Sequence, residues 1–196
     1  MGATPMAAPK RLLWDSDEYY RLADMGLFQG RRVELIGGEI LEMPAQKNFH
    51  AVGISLTEDA LRAAFGPAYW VRVQMSLDLS PRSVPDPDLA VVPGTPRQHA
   101  AAAGNPTTAL LIVEVSDTTL VYDRRRKASL YAASGIEDYW IVNLVDRQLE
   151  VHRRPVADPA QPFGFAYADV QVLDVADRVT PLAAGQATIV VADLLP

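Results

Sequence analysis

The sequence contains no cysteine. Disulfides, thiolate zinc sites and a cysteine nucleophile are therefore excluded, and a cytoplasmic, reducing location is expected. Histidine is scarce: His50, His99 and His152 lie far apart and form no HxxxH or HExxH pair, which disfavours a histidine zinc site. Long hydrophobic runs are missing too. The most apolar stretch, residues 109–113, is far short of the roughly 20 residues that cross a bilayer, so no membrane partner is expected. The opening MGATPMAAPKRLLW has no continuous apolar region, so no signal peptide is expected there, and Met6 stands where a myristoylation signal wants Ser or Thr. Neither a glycine-rich phosphate loop nor a GxSxG context occurs. Positive charge is in deficit: 24 acids against 18 bases give a net charge of −6. That disfavours a protein that coats nucleic acid and leaves room for an enzyme that touches it locally.

What is present is an ordinary globular composition over 196 residues, 49% apolar and 21% charged. One domain covering 1–196 is expected, with residues 1–10 as a loose arm. Asp15 and Glu18 have capping-box spacing and open a first helix that stops near Gly26. In RRVELIGGEILEMP, Gly37-Gly38 between alternating runs predicts a hairpin with strands at 32–36 and 39–43. Asn48 is a candidate cap for a second helix ending before Gly66-Pro67, with Ile54, Leu61 and Phe65 on one face. YWVRVQMSLDLS alternates for twelve residues and predicts a long strand. DLAVV (88–92) and ALLIVEV (109–115) read as strands buried on both faces, and residues 93–108 as a loop or short helix. A helix is expected from Thr119 to Ser134, then strands at 137–143 and 148–153, a long surface loop at 154–162, and short strands near 163–174 and 186–191. The fold class is α/β (α+β), a mixed sheet flanked by helices.

Acids near strand ends carry the chemistry. Asp86 and Asp88 sit in VPDPDLAVV at the entrance to a buried strand, and Glu114 follows five apolar residues in ALLIVEVSD. A carboxylate there is costly to bury unless it is paired, hydrogen-bonded or bound to a metal. Two carboxylates on neighbouring strands, a backbone carbonyl and waters make an oxygen-rich Mg²⁺ site. The plainer alternative is that the aspartates are turn residues and Glu114 a strand end. Lys127 lies four residues after Asp123, so a surface helix pair competes with a role as a cation beside the metal. Arg124, Arg125 and Arg126 form a local basic run that contacts phosphate or simply faces solvent. Gln74 in the long strand, Glu39 at the start of the second hairpin strand and His50 in the first turn of the second helix complete the polar candidates.

These segments together resemble the Uma-type family of restriction-endonuclease-like proteins, of the PD-(D/E)XK nuclease class. The resemblance runs through VELIGGEILEMP with His50 soon after, PDPDLAVV, and LLIVEVSDTTLVYDRRRKASLYAASGIEDYWIVN. It implies that Asp88 is the motif aspartate, with Asp86 of Pro85-Asp86 as a rival, and that Glu114 is the acid of the ExK motif. Ser116 stands where that motif has lysine; the resemblance places the lysine on the following helix, at Lys127. Glu39 and Gln74 match positions that often line the family's pocket. The implied activity is Mg²⁺-dependent hydrolysis of DNA phosphodiesters, with Mn²⁺ as a substitute metal. Asp88, Glu114 and the Val115 carbonyl would hold metal, and Lys127 would orient water or phosphate. DNA would be met through a basic strip near Arg124–Lys127 and Arg153-Arg154, in a homodimer suited to two-strand cutting. Two alternatives remain open: a catalytically silent nucleic-acid-binding or regulatory module on the same fold, and a metal-dependent hydrolase of another phosphoester.

Overall fold

The computed structural model describes residues 10–196; the loose arm expected at the N-terminus falls almost wholly outside them. Local sequence signals account for the first elements. Asp15 caps α1 (Ser16–Asp24), and the reciprocal bonds of the capping box with Glu18 are both formed. Strands β1 (Val33–Ile36) and β2 (Glu39–Glu42) make the expected hairpin. Gly37 and Gly38 both have positive φ, +62° and +82°, as the two-residue turn demands. An added Cβ at Gly38 would stand 2.8 Å from the Leu13 Cβ, so the chain entering α1 is locked against this turn.

Helix α2 (Asn48–Phe65) follows, but Asn48 is its first helical residue and not its cap. Lys47 occupies the cap position and no side chain bonds to the helix N-terminus. Ile54, Leu61 and Phe65 are buried together as their spacing predicts. Strand β3 (Tyr69–Val73) is much shorter than its twelve-residue alternation suggested. Gln74 takes a left-handed conformation (φ +51°) and ends the ladder, although its N–H still reaches the Asp88 carbonyl at 3.1 Å.

The remaining strands are β4 (Leu89–Pro93), β5 (Leu111–Ser116), β6 (Asp138–Asn143), β7 (Gln148–Ala157) and β8 (Phe165–Leu173), with a short pair β9 (Arg178–Val179) and β10 (Ile189–Val190). The one-turn α3 (Pro96–His99) lies between β4 and β5. Between β5 and β6 run α4 (Leu120–Tyr122), a π-helical turn (Asp123–Lys127) and α5 (Ala128–Ala133). The main sheet is ordered β3-β4-β5-β6-β7-β8, antiparallel throughout except for the parallel β5–β6 pair. Strand β7 runs through much of the expected surface loop. Pro155 is tolerated there because β6 stops opposite Arg153, so the absent N–H faces no neighbour on that side.

The central strands β4, β5 and β6 are buried on both faces, whereas the edge strand β8 is largely exposed. Val113, Val115, Trp140 and Val142 pack with α2 and the C-terminal residues Val191, Leu194 and Leu195. Ile112, Tyr139 and Ile141 point the other way and pack with Leu130 and Tyr131 of α5. Alternation along β5 thus sends Glu114 and Ser116 to the α5 face. Gly53 lets α2 approach β5 closely, because a Cβ there would meet Val115 Cγ1 at 3.0 Å.

Candidate active site

Asp88 precedes β4 by one residue, and the register Leu89↔Val113 sets it beside Glu114 and Val115 on the next strand. The two carboxylates are tied through the backbone. The Asp88 N–H donates to Glu114 Oε2 at 3.3 Å, and the Val115 N–H donates to Asp88 Oδ2 at 3.0 Å. Asp88 Oδ1 accepts from Gln74 Nε2 at 3.2 Å, and His50 Nε2 lies 3.4 Å from the same oxygen. The left-handed turn at Gln74 is what brings its side chain here.

Lys127 closes the cluster from the helical layer. Its Nζ lies 3.1 Å from Glu114 Oε1 and 2.7 Å from Glu34 Oε2, and it is 1% exposed. The Tyr131 hydroxyl, one turn further on, donates to Glu114 Oε1 at 2.6 Å. Burial pushes the Glu114 carboxyl up to about 8 against the opposing pull of Lys127, with Asp88, Asp123 and Glu34 adding to the rise. Burial also raises Glu34. For Lys127, burial works against the charge, but Glu114, Glu34 and Asp123 outweigh it and hold the amine protonated.

The π-helical turn fixes where that lysine points. Asp123, its first residue, is buried and accepts from Ser116 Oγ and Thr119 Oγ1, each at 2.6 Å, while its carbonyl accepts from the Tyr139 hydroxyl at 3.1 Å. Ser116, at the expected lysine position, therefore anchors the helix that delivers Lys127. The wider turn of a π-helix is a recurrent feature of functional sites.

These groups line a cleft enclosing about 550 Å³ of space, open mouth included. Six carboxyl groups face it (Glu34, Asp86, Asp88, Glu114, Asp117 and Asp123) against the cations Arg32, Lys47 and Lys127. Burial raises Glu34, Asp86, Glu114 and Asp123 alike, so these carboxyl groups outnumber the cleft's cations yet are held toward their protonated forms until a cation displaces the protons. Carboxyl groups in such excess over cations suit a hard divalent cation, for which oxygen donors such as these are the usual ligands. Among the described residues no three His, Asp or Glu groups already converge as a ready-made cage. Mg²⁺ does not need one, since it typically takes one or two carboxylates and keeps several waters.

Of the residues singled out in the sequence, Asp88, Glu114, Val115, Lys127 and Gln74 are brought together. Glu39 is not. It pairs with Arg126 at 2.6 Å and with Arg11, because the hairpin turn carries it away from the cluster. The hairpin acid in the cleft is Glu34, an acid within the apolar VELI, the same signal that drew attention to Glu114. Asp86 lines the cleft but accepts from Ser76 Oγ at 2.6 Å, whereas Asp88 touches β5 directly. The helix pair between Asp123 and Lys127 is not formed; Lys127 reaches across to the strands instead.

The basic strip is largely neutralised. Arg124 grips Glu150 with two nitrogens at 2.9 and 2.7 Å, Arg126 holds Glu39, Lys127 is enclosed, and Arg153 pairs with the buried Asp138 at 2.8 Å. These partners are distant in sequence, so the run looked free when read linearly.

A mixed sheet with helices on both faces and a carboxylate pair on adjacent central strands defines a restriction-endonuclease-like nuclease fold. The chain belongs to the Uma2 family, whose model, described as "Putative restriction endonuclease", matches residues 16–190. It is similar in structure to a "putative nuclease belonging to DUF820" from Anabaena variabilis ATCC 29413, with a TM-score of 0.67 and 17% identity, covering 92% of this chain and 96% of that one. No curated protein matches it. Among the described residues no helix is long and apolar enough to cross a membrane.

Proposed function

We propose that the protein is a single-domain, divalent-metal-dependent endonuclease that hydrolyses DNA phosphodiester bonds in the cytoplasm as a homodimer. One observation carries this reading: Asp88 and Glu114 are joined across neighbouring strands, with the Lys127 ammonium held between Glu114 and Glu34 at the floor of an acidic cleft.

Asp88, Glu114 and the Val115 carbonyl would hold Mg²⁺. The N–H and C=O of a strand residue leave the backbone on the same side, and the Val115 N–H already faces Asp88. When bound, the metal supplies Lewis acidity toward a phosphoryl oxygen and lowers the pKa of an attacking water. Asp88 is held in place by Gln74 and the Val115 N–H, so its carboxylate needs little reorganisation. Lys127 stays cationic and faces the charge that develops on the phosphoryl oxygens. Tyr131 and Glu34 fix that amine and Glu114 in register. A homodimer would present two such clefts, one to each strand of a duplex.

The test is cleavage of supercoiled plasmid and of single-stranded DNA with Mg²⁺ or Mn²⁺, with EDTA and Asp88→Ala as controls. Metal-dependent nicking that is lost in the variant supports the reading. Tight binding without cleavage in any divalent metal would favour the silent module. Hydrolysis confined to small phosphoesters would favour the other hydrolase.

A further inference from the structure

The cleft that would cleave a phosphodiester is lined by acids, so the flanking phosphates need cations elsewhere. Of the strip expected to supply them, Arg124, Arg126 and Arg153 are taken up by Glu150, Glu39 and Asp138 and Lys127 is enclosed, while Arg125 and Arg154 are exposed but line neither the cleft nor its neighbouring groove. A different set of basic residues is free. Arg31 and Arg32 directly precede β1, and Lys47 directly precedes α2; all three are exposed, and among the described residues none forms an ion pair.

Their position is specific. Arg32 and Lys47 line the mouth of the acidic cleft itself. Arg31 and Arg32 line a second groove that shares Arg32 and residues 43–46 with the cleft. The backbone holds the two walls together, since the Met43 N–H donates to the Arg32 carbonyl at 2.8 Å. The acids at this rim are Glu42 in the groove and Asp117 at the cleft mouth, fewer than the cations they face. Charge is thus sorted by depth, with most of the carboxyl groups within, around Lys127, and Arg31, Arg32 and Lys47 outside. An anionic polymer is met by that order when one phosphate enters the cleft and its neighbours stay on the rim.

We propose that Arg31, Arg32 and Lys47 form the phosphate-binding track of this protein, carrying the backbone of a DNA duplex across the adjoining groove and the mouth of the cleft. The inference rests on the nuclease reading for the orientation of the substrate, but the track binds whether or not the bond is cut.

The test is the anisotropy of a labelled DNA duplex titrated with the full chain between 50 and 200 mM KCl, with Ca²⁺ present to neutralise the cleft. The variant Arg31→Gln/Arg32→Gln/Lys47→Gln should bind about 100-fold more weakly near 0.1 M salt, and its log–log salt slope should be shallower by about 3. A control, Arg97→Gln/Arg178→Gln, removes two exposed arginines that do not line the groove and should bind as wild type. Far-ultraviolet circular dichroism of the exposed triple variant should match wild type. An unchanged affinity and slope in the triple variant overturns the track, even if the wild type cleaves plasmid. Absence of salt-dependent binding by the wild type overturns it too. Binding lost in the triple variant while the wild type cuts nothing supports the track and removes the nuclease reading alone.

Discussion

Lys127 Nζ lies 3.1 Å from Glu114 Oε1, and neither group is accessible to solvent to any useful degree. The pair joins the helical layer to the centre of the sheet, and the second carboxylate, Glu34, ties both to the hairpin.

Removing that amine leaves the buried Glu114 and Glu34 carboxyl groups without the cation they bond to. Lys127→Met should destabilise the protein by about 3–5 kcal/mol and abolish cleavage. Urea unfolding and plasmid nicking measure the two effects. A variant that loses activity while keeping wild-type stability would contradict the enclosed pairing.

Burial also gives the metal-free protein a pH dependence of definite sign. Native Glu114 keeps its proton up to about 8, whereas an unfolded glutamate loses it near 4.5. Between those values the native state binds more protons than the unfolded state, so stability falls as pH rises, by at most about 1.4 kcal/mol per unit for this group. Glu34, Asp86 and Asp123 are raised as well and act in the same direction. In EDTA the melting temperature should therefore be lower at pH 8 than at pH 6. Mg²⁺ should restore more of it at pH 8, where fewer protons compete for the ligands. A higher melting temperature at pH 8 in EDTA would contradict this.

The two hairpin acids should separate cleanly. Glu34→Gln removes a partner of Lys127 and should lower the cleavage rate more than tenfold. Glu39→Gln loses half-exposed pairs to Arg126 and Arg11, costs about 1 kcal/mol or less, and should cleave within a factor of about three of wild type. Steady-state nicking rates decide it; the reverse order would restore the position expected from sequence.

Ser116 and Thr119 anchor Asp123 and with it the π-helical turn. Ser116→Ala alone should cost about 1 kcal/mol, since Thr119 still donates. Adding Thr119→Ala leaves a buried carboxylate with neither donor. That double variant should lose about 2–3 kcal/mol and, by loosening Lys127, a larger share of activity than of metal affinity. Denaturation, nicking and calorimetric Mg²⁺ titration together test this.

What was legible in the sequence was what local chemistry determines. The capping box at Asp15 and Glu18, the Gly37-Gly38 turn and the buried runs of β4 and β5 each depend on a few adjacent residues, and each formed as read. Asp88 and Glu114 stood out because charges were set beside or within apolar strands, and Lys127 through its spacing from Asp123 and the family resemblance. Glu34 carried the same signal but stood in a short alternating hairpin strand, where a polar residue is ordinary. The errors share a tertiary cause. Nothing local marks Gln74 for a positive φ; its conformation is held by contacts with Asp88. Nothing local marks Pro155 for a strand; β8 supplies its pairing. The arginine run could not disclose partners that arrive from β2 and β7.

The most direct test of the central claim is the rate of supercoiled-plasmid nicking in Mg²⁺ by wild-type and Asp88→Ala protein purified side by side and shown to be folded. Metal-assisted hydrolysis centred on Asp88 should show as nicking by the wild type that EDTA stops and as a fall of at least about 100-fold in the variant. Equal nicking by the two proteins would contradict the assignment of Asp88 and Glu114 as the centre of catalysis.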